Sequence, residues 1–182
     1  RKGVKQMILW IILLLSIIAS AAIFVIKNAA VRNIVGGILW LAVLALTVVL
    51  TLNMHDHLGM EKKTVTTTTQ VYSAAPAQLP VVMAAAKKIG ADNYVLIYKD
   101  HASDQQASAH FAPDKSDIIK TVKQSATYEK ANVTTAQVKT VTTKWVYKND
   151  FNEWLFKQHK EDNLVKVRHT LQVPENWQVA LK

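Results

Sequence analysis

The chain has 182 residues, with 22 Lys or Arg against 13 Asp or Glu and no cysteine. The missing thiols exclude disulfides, thiolate catalysis and cysteine-based zinc or iron–sulfur sites. Five of the basic residues (Arg1, Lys2, Lys5, Lys27 and Arg32) flank an apolar N-terminal third, and the stretch from Met54 onward holds 17 basic and 13 acidic residues; so small a surplus, without a clustered basic face, argues against nucleic acid as a partner.

Two apolar runs without a charge come first, Met7–Ile26 and Ile34–Leu52, joined by the polar stretch from Lys27 to Asn33. At about 1.5 Å of rise per residue each can cross a hydrocarbon core of roughly 30 Å, so the pair reads as a transmembrane hairpin seated in the lipid bilayer through residues 7–52. A cleaved signal peptide is the competing reading of the first run, but that run exceeds the usual signal core and a second span follows at once. Ser16 and Ser20, one helical turn apart, and Gly36 with Gly37 predict close packing of the spans through small surfaces.

Orientation turns on the charges beside the spans. Arg1, Lys2 and Lys5 ahead of the first span favour both termini inside, whereas a chain read from Met7 leaves Lys27 and Arg32 nearest the membrane and favours both termini outside. Lys62 and Lys63 weaken the second arrangement without reversing it, because long domains translocate largely regardless of charge. The expectation adopted is a multi-pass protein of the cell membrane with an extracytoplasmic domain.

Residues 54–63 read as a polar linker. His55 and His57 bracket Asp56 and would face the same way on an extended strand, the arrangement by which two imidazoles share a metal; without a third ligand nearby, an interfacial polar cap is the competing reading. Thr64 to Tyr72 is rich in β-branched residues and predicts a strand. Leu79, Val82, Met83, Ala86 and Ile89 then follow a helical spacing between Pro80 and Gly90, which predicts a short amphipathic helix.

Tyr94 to Tyr98 is a continuous apolar run and the best candidate for a central strand. After a polar loop from His101 to Gln106, Ser108 to Ala112 predicts a returning strand, and Ile118 to Lys130 fits either helix or strand. Val138 to Tyr147 predicts a second Thr-rich strand. Asp150, with Glu153 three residues on, predicts a capped helix whose buried stripe is Phe151, Trp154 and Leu155, docked on the sheet. Leu164 to Val173 alternates as a strand, and Pro174 to Asn176 turns the chain into Trp177 to Leu181. The fold class expected is therefore α+β: residues 1–53 as the hairpin, 54–63 as the linker, and 64–182 as one sheet-dominated, mostly antiparallel soluble domain with two or three short helices.

Several segments together resemble a known family: Tyr98-Lys99, the run from Val141 to Phe151, Leu155-Phe156, Val173 to Trp177, and the exit His57-Leu58-Gly59-Met60. The chain is similar to an uncharacterised family of small membrane proteins of lactic-acid bacteria, a domain of unknown function. That resemblance spans nearly the whole chain and implies an N-terminal membrane hairpin followed by a Thr- and Lys-rich domain. It implies no catalytic residue.

The residues themselves offer little chemistry. After the second span the glycines are Gly59 and Gly90, too few for a phosphate-cradling loop, a dinucleotide fingerprint or a nucleophile elbow. No cofactor is expected. Asp100, His101 and Asp104, in the loop after the central strand, form the least implausible catalytic trio, with solvated loop residues as the plainer reading. Trp145, Trp154 and Trp177 read as core, with a ligand groove as the alternative. Two functions follow. One is a membrane-anchored, non-enzymatic accessory, sensing or binding component of the bacterial cell envelope, with a membrane protein or cell-wall polymer as partner. The other is an envelope hydrolase or transferase with a carboxylate and histidine site assembled from loops.

Overall fold

The computed structural model describes residues 6–76, 79–157 and 163–181, so His159 and the basic residues Arg1, Lys2 and Lys5 lie outside the described residues. In chain order the elements are α1 (Met7–Val25), α2 (Ala29–Asp56), β1 (Met60–Gln70), β2 (Met83–Gly90), β3 (Asn93–Tyr98), β4 (Ser108–His110), α3 (Ile118–Lys123), β5 (Gln124–Lys130), β6 (Gln137–Tyr147), α4 (Asp150–Phe156), β7 (Leu164–Val173) and β8 (Gln178–Leu181). They divide into two compact units, one of Arg1–Lys62 with Trp145–Asn163, the other of Lys63–Lys144 with Leu164–Lys182.

In the first unit α1 and α2 are both long and apolar enough to cross a membrane, with peak mean hydropathies of 2.9 and 2.5. Their apolar side chains point outward: Leu14, Phe24, Ile34, Leu41 and Leu44 are all exposed. Of the small residues expected to pack the helices together, Gly36 is buried, joined by Ala19, while Ser20 and Gly37 are exposed. Ser16 and Ser20 instead donate back to the carbonyls of Ile12 and Ser16, each at 2.8 Å, which satisfies their hydroxyls inside an apolar helix. α2 starts earlier than the expected span, because Asn28 caps it by accepting from the backbone N–H groups of Ala30 and Val31.

Residues 54–63, expected as a linker, are the last turn of α2 and the start of β1, with a built joint between them. His57 ends the helix in the left-handed region, at φ 57°, and its N–H returns to the Leu52 carbonyl. Gly59 follows at φ 82°, a conformation that costs glycine little and other residues more. Its carbonyl accepts from the Lys148 N–H at 3.0 Å and from Asn152 Nδ2 at 3.2 Å. The buried Asn53 donates to the Leu58 carbonyl at 2.6 Å.

α4 differs from expectation in its cap and its buried side. Asn149, one residue before Asp150, is the cap and accepts from the Asn152 N–H at 2.9 Å, while Glu153 pairs with Lys157 one turn on rather than closing a box. Leu155 and Phe156 are buried, against Ile8, Ile11 and Ile12 of α1, Val49 and Leu50 of α2 and Tyr147. Phe151 and Trp154 are exposed. The helix therefore docks on the hairpin helices.

The second unit holds the sheets, ordered β1-β6-β7-β5 and β4-β3-β2-β8. Each mixes directions: β6 and β7 are antiparallel while β5 and β7 are parallel, and β2 and β3 are antiparallel while β2 and β8 are parallel. The α+β class holds, and the two parallel pairs qualify the expected antiparallel character. β2 (Met83–Gly90) is a strand where the apolar spacing predicts a helix. Ala84, Ala85 and Ala86 are all buried in β2, between β3 and β8; a central strand buries both faces, and that demand overrides alanine's helical preference. The ambiguous segment 118–130 is helix and then strand.

The core of this unit takes Leu96 and Tyr98 from β3, Ala84 and Ala86 from β2, Ala126 from β5, Val138 from β6, and Leu171 and Val173 from β7, closed by Val71 and Trp177. β1 lies at a sheet edge, and after Met60 it is exposed throughout. Its lysines and threonines suit an edge, where charge discourages pairing with another chain. Lys99 is buried, with its ammonium donating to the Ala75 carbonyl at 3.1 Å.

Candidate functional site

The densest grouping of chemically capable side chains in the second unit begins at Tyr98. β3 and β4 pair so that Tyr98 lies opposite Ser108 and Leu96 opposite His110, which leaves Tyr98 and His110 diagonal neighbours on adjacent strands. Their rings stack at 3.9 Å and 4°. The next residue, Phe111, has φ 60°, and that turn of the backbone lays its ring on His169 of β7 at 3.7 Å and 14°. His169 lies opposite Thr140 in the β6–β7 register, and Thr140 Oγ1 and His169 Nδ1 share a hydrogen bond of 2.9 Å.

Burial governs the titration of two groups in this stack. Burial pushes the His169 imidazole down to about 4, so it is uncharged at ordinary pH. Burial, and then the nearby Asp100 carboxylate, push the Tyr98 phenol well above its usual range. Asp100, at the rim, places Oδ2 3.7 Å from His110 Nε2, an atom that is buried and bonded to nothing among the described residues. At that separation the two are electrostatic neighbours without a hydrogen bond.

Phe111 also forms part of a cleft of about 210 Å³ with Asn93, Ala112, Pro113, Asp114, Lys120, Thr121 and Gln124. Its polar groups are largely engaged. Asp114 Oδ1 accepts from both the Ser116 N–H and the Ser116 hydroxyl, at 2.8 and 2.7 Å, and these bonds hold its carboxyl below the usual range. Asn93 Oδ1 accepts from the Ala126 N–H at 2.8 Å.

The trio read from sequence does not converge. Asp104 closes the turn by accepting from the His101 N–H at 2.9 Å, with the His101 ring 3.8 Å from its carboxylate, while Asp100 faces His110 instead. His55 and His57 do not converge either. His55 is bonded to Asp56 at 2.7 Å on the exposed end of α2, and the His57 ring stacks on Trp145 at 4.1 Å, with Lys62 Nζ 5.1 Å from the same indole. No group of three metal-ligating side chains occurs among the described residues. Of the three tryptophans, Trp177 is core, Trp145 lies under His57, and Trp154 is exposed.

In the sequence His110, Phe111 and His169 are scattered residues that no motif joins. A local signal existed for the first: a strand returning after the loop pairs with β3 and sets His110 diagonal to Tyr98. None existed for His169, which arrives from a strand far along the chain.

The family model for a domain of unknown function, DUF4811, matches residues 27–181. No curated protein and no solved structure matches the chain.

Proposed function

Because the chain belongs to the DUF4811 family, which assigns no activity, we propose from its own surfaces that it is a membrane-anchored, non-enzymatic binding component of the cell envelope. Its partner is another membrane protein of that envelope. The observation that carries the binding role is the face of α3, where Ile118, Ile119 and Val122 are 69%, 70% and 80% exposed. Adjacent large apolar side chains left in water mark a surface built to be covered, and their chemistry favours a protein over a polar wall polymer.

Two observations support a retained hairpin. The apolar side chains of α1 and α2 face outward, as a bilayer requires, and Ile8 near the start of α1 is wholly buried in a cluster with Leu155 and Phe156 of α4. A segment packed in this way is part of the fold, which weighs against its removal as a signal sequence. The orientation we adopt keeps Lys27 and Arg32, at the hairpin tip, in the cytoplasm and puts the domain outside. The geometry does not favour a hydrolase: Asp100 and His110 stand too far apart to bond, and Asp104 is engaged in its own turn.

A photo-crosslinking residue placed at Ile119 in the full chain tests the binding role in intact cells. The expected result is one discrete protein adduct, absent when the probe sits at the exposed Lys166 of β7. Equal, diffuse labelling from both positions, or an adduct to wall polymer alone, would count against the proposed partner.

A further inference from the structure

We propose that α4 is an interfacial helix, seated by Phe151 and Trp154 in the headgroup and upper acyl region of the bilayer beside the hairpin. The inference rests on the membrane reading above and adds a third lipid contact outside both spans.

α4 has two sides with different surroundings. Leu155 and Phe156 form one cluster with Ile8, Ile11 and Ile12 of α1 and Val49 and Leu50 of α2, so the helix is fixed against the hairpin itself. Gln6 reinforces this by donating from Nε2 to the Phe156 carbonyl at 3.4 Å. The other side carries Phe151, 64% exposed, and Trp154, 44% exposed, with ring centroids 5.9 Å apart. In a seven-residue helix that could bury an aromatic side, the aliphatic and Phe156 side is covered and the Trp side is left open.

Depth settles what the open side meets. Ile8 lies about 12 Å along the helix from the middle of α1 at 1.5 Å per residue, close to the edge of a hydrocarbon half-thickness of roughly 15 Å. α4 packs at that level, where an indole with an apolar body and one N–H donor is most at home. Lys148, exposed just before the cap, is a long cation suited to reach phosphates from the same level. The exposed aromatic pair thus continues the apolar surface of α1 and α2 out to the interface.

The absence of native cysteine makes the test direct. Single cysteines replacing Phe151, Trp154, Leu44 or Lys166 in the full chain are coupled to a nitroxide, and the protein is placed in phosphatidylcholine–phosphatidylglycerol nanodiscs. Collision rates with oxygen and with a water-soluble nickel chelate then report depth. The first three positions are exposed in the fold, so the label does not displace packing. Oxygen should dominate at Leu44, oxygen should exceed the chelate at 151 and 154 by several-fold, and the chelate should dominate at Lys166. If 151 and 154 match Lys166 while Leu44 stays deep, the interfacial helix is wrong and the hairpin stands. If Leu44 also matches Lys166, the membrane reading falls and this inference falls with it.

Discussion

His169 links a single side chain to the acid stability of its unit. Its imidazole is buried between Phe111 and Thr140, and its folded pKa of about 4 lies below the ordinary 6.5 of an exposed histidine. A base with a depressed folded pKa contributes stability in full above about 6.5, and that stability is lost as pH falls towards 4, because the unfolded chain then binds the proton first. The loss expected at about pH 4.5 is on the order of 2 kcal/mol. Thermal unfolding of the full chain in detergent, followed by circular dichroism, should show a fall in Tm over that range. His169→Gln keeps a polar partner for Thr140 and should flatten the fall; an equally steep acid dependence in the variant would show that other groups govern it. In the sequence, His169 stands out merely as one apolar-face position of an alternating strand, and its partners come from β6 and the end of β4, which no local pattern connects to it.

At the scale of elements, the joint from α2 to β1 depends on Gly59. A Cβ there would lie 3.0 Å from Asn152 Cγ, on a backbone already at φ 82°. Gly59→Ala therefore both strains the backbone and displaces a side chain that bonds the Gly59 carbonyl, at an expected cost of about 1–3 kcal/mol. The change should appear as a lower Tm together with altered fluorescence of Trp145, which stacks on the neighbouring His57. A variant with wild-type Tm would mean that the joint tolerates rearrangement and does not fix the strand's exit. Element identity was legible where local propensity is not overridden by packing, as in the Thr-rich β1 and β6 and the apolar β3. It failed at β2, whose three buried alanines owe their conformation to two neighbouring strands, and at α4, where the spacing of aromatics said which residues share a side but not which side the hairpin covers.

For the molecule as a whole, the two apolar helices and the α+β class are legible in the hydropathy pattern, since long uncharged runs favour helices and alternating β-branched segments favour strands. The exposed α3 face was not legible, because Ile118, Ile119 and Val122 have the same spacing whether they line a core or are left in water. On the membrane reading proposed above, sidedness depends on a balance of few charges around the spans, and it would decide whether the proposed α3 partner belongs to the envelope or the cytoplasm. The most direct measurement places a single cysteine at Lys166, on an exposed position of β7, and treats intact cells and inverted vesicles with a membrane-impermeant maleimide. Labelling in intact cells and protection in inverted vesicles is the predicted result. Labelling confined to inverted vesicles would put the domain in the cytoplasm and contradict the envelope role.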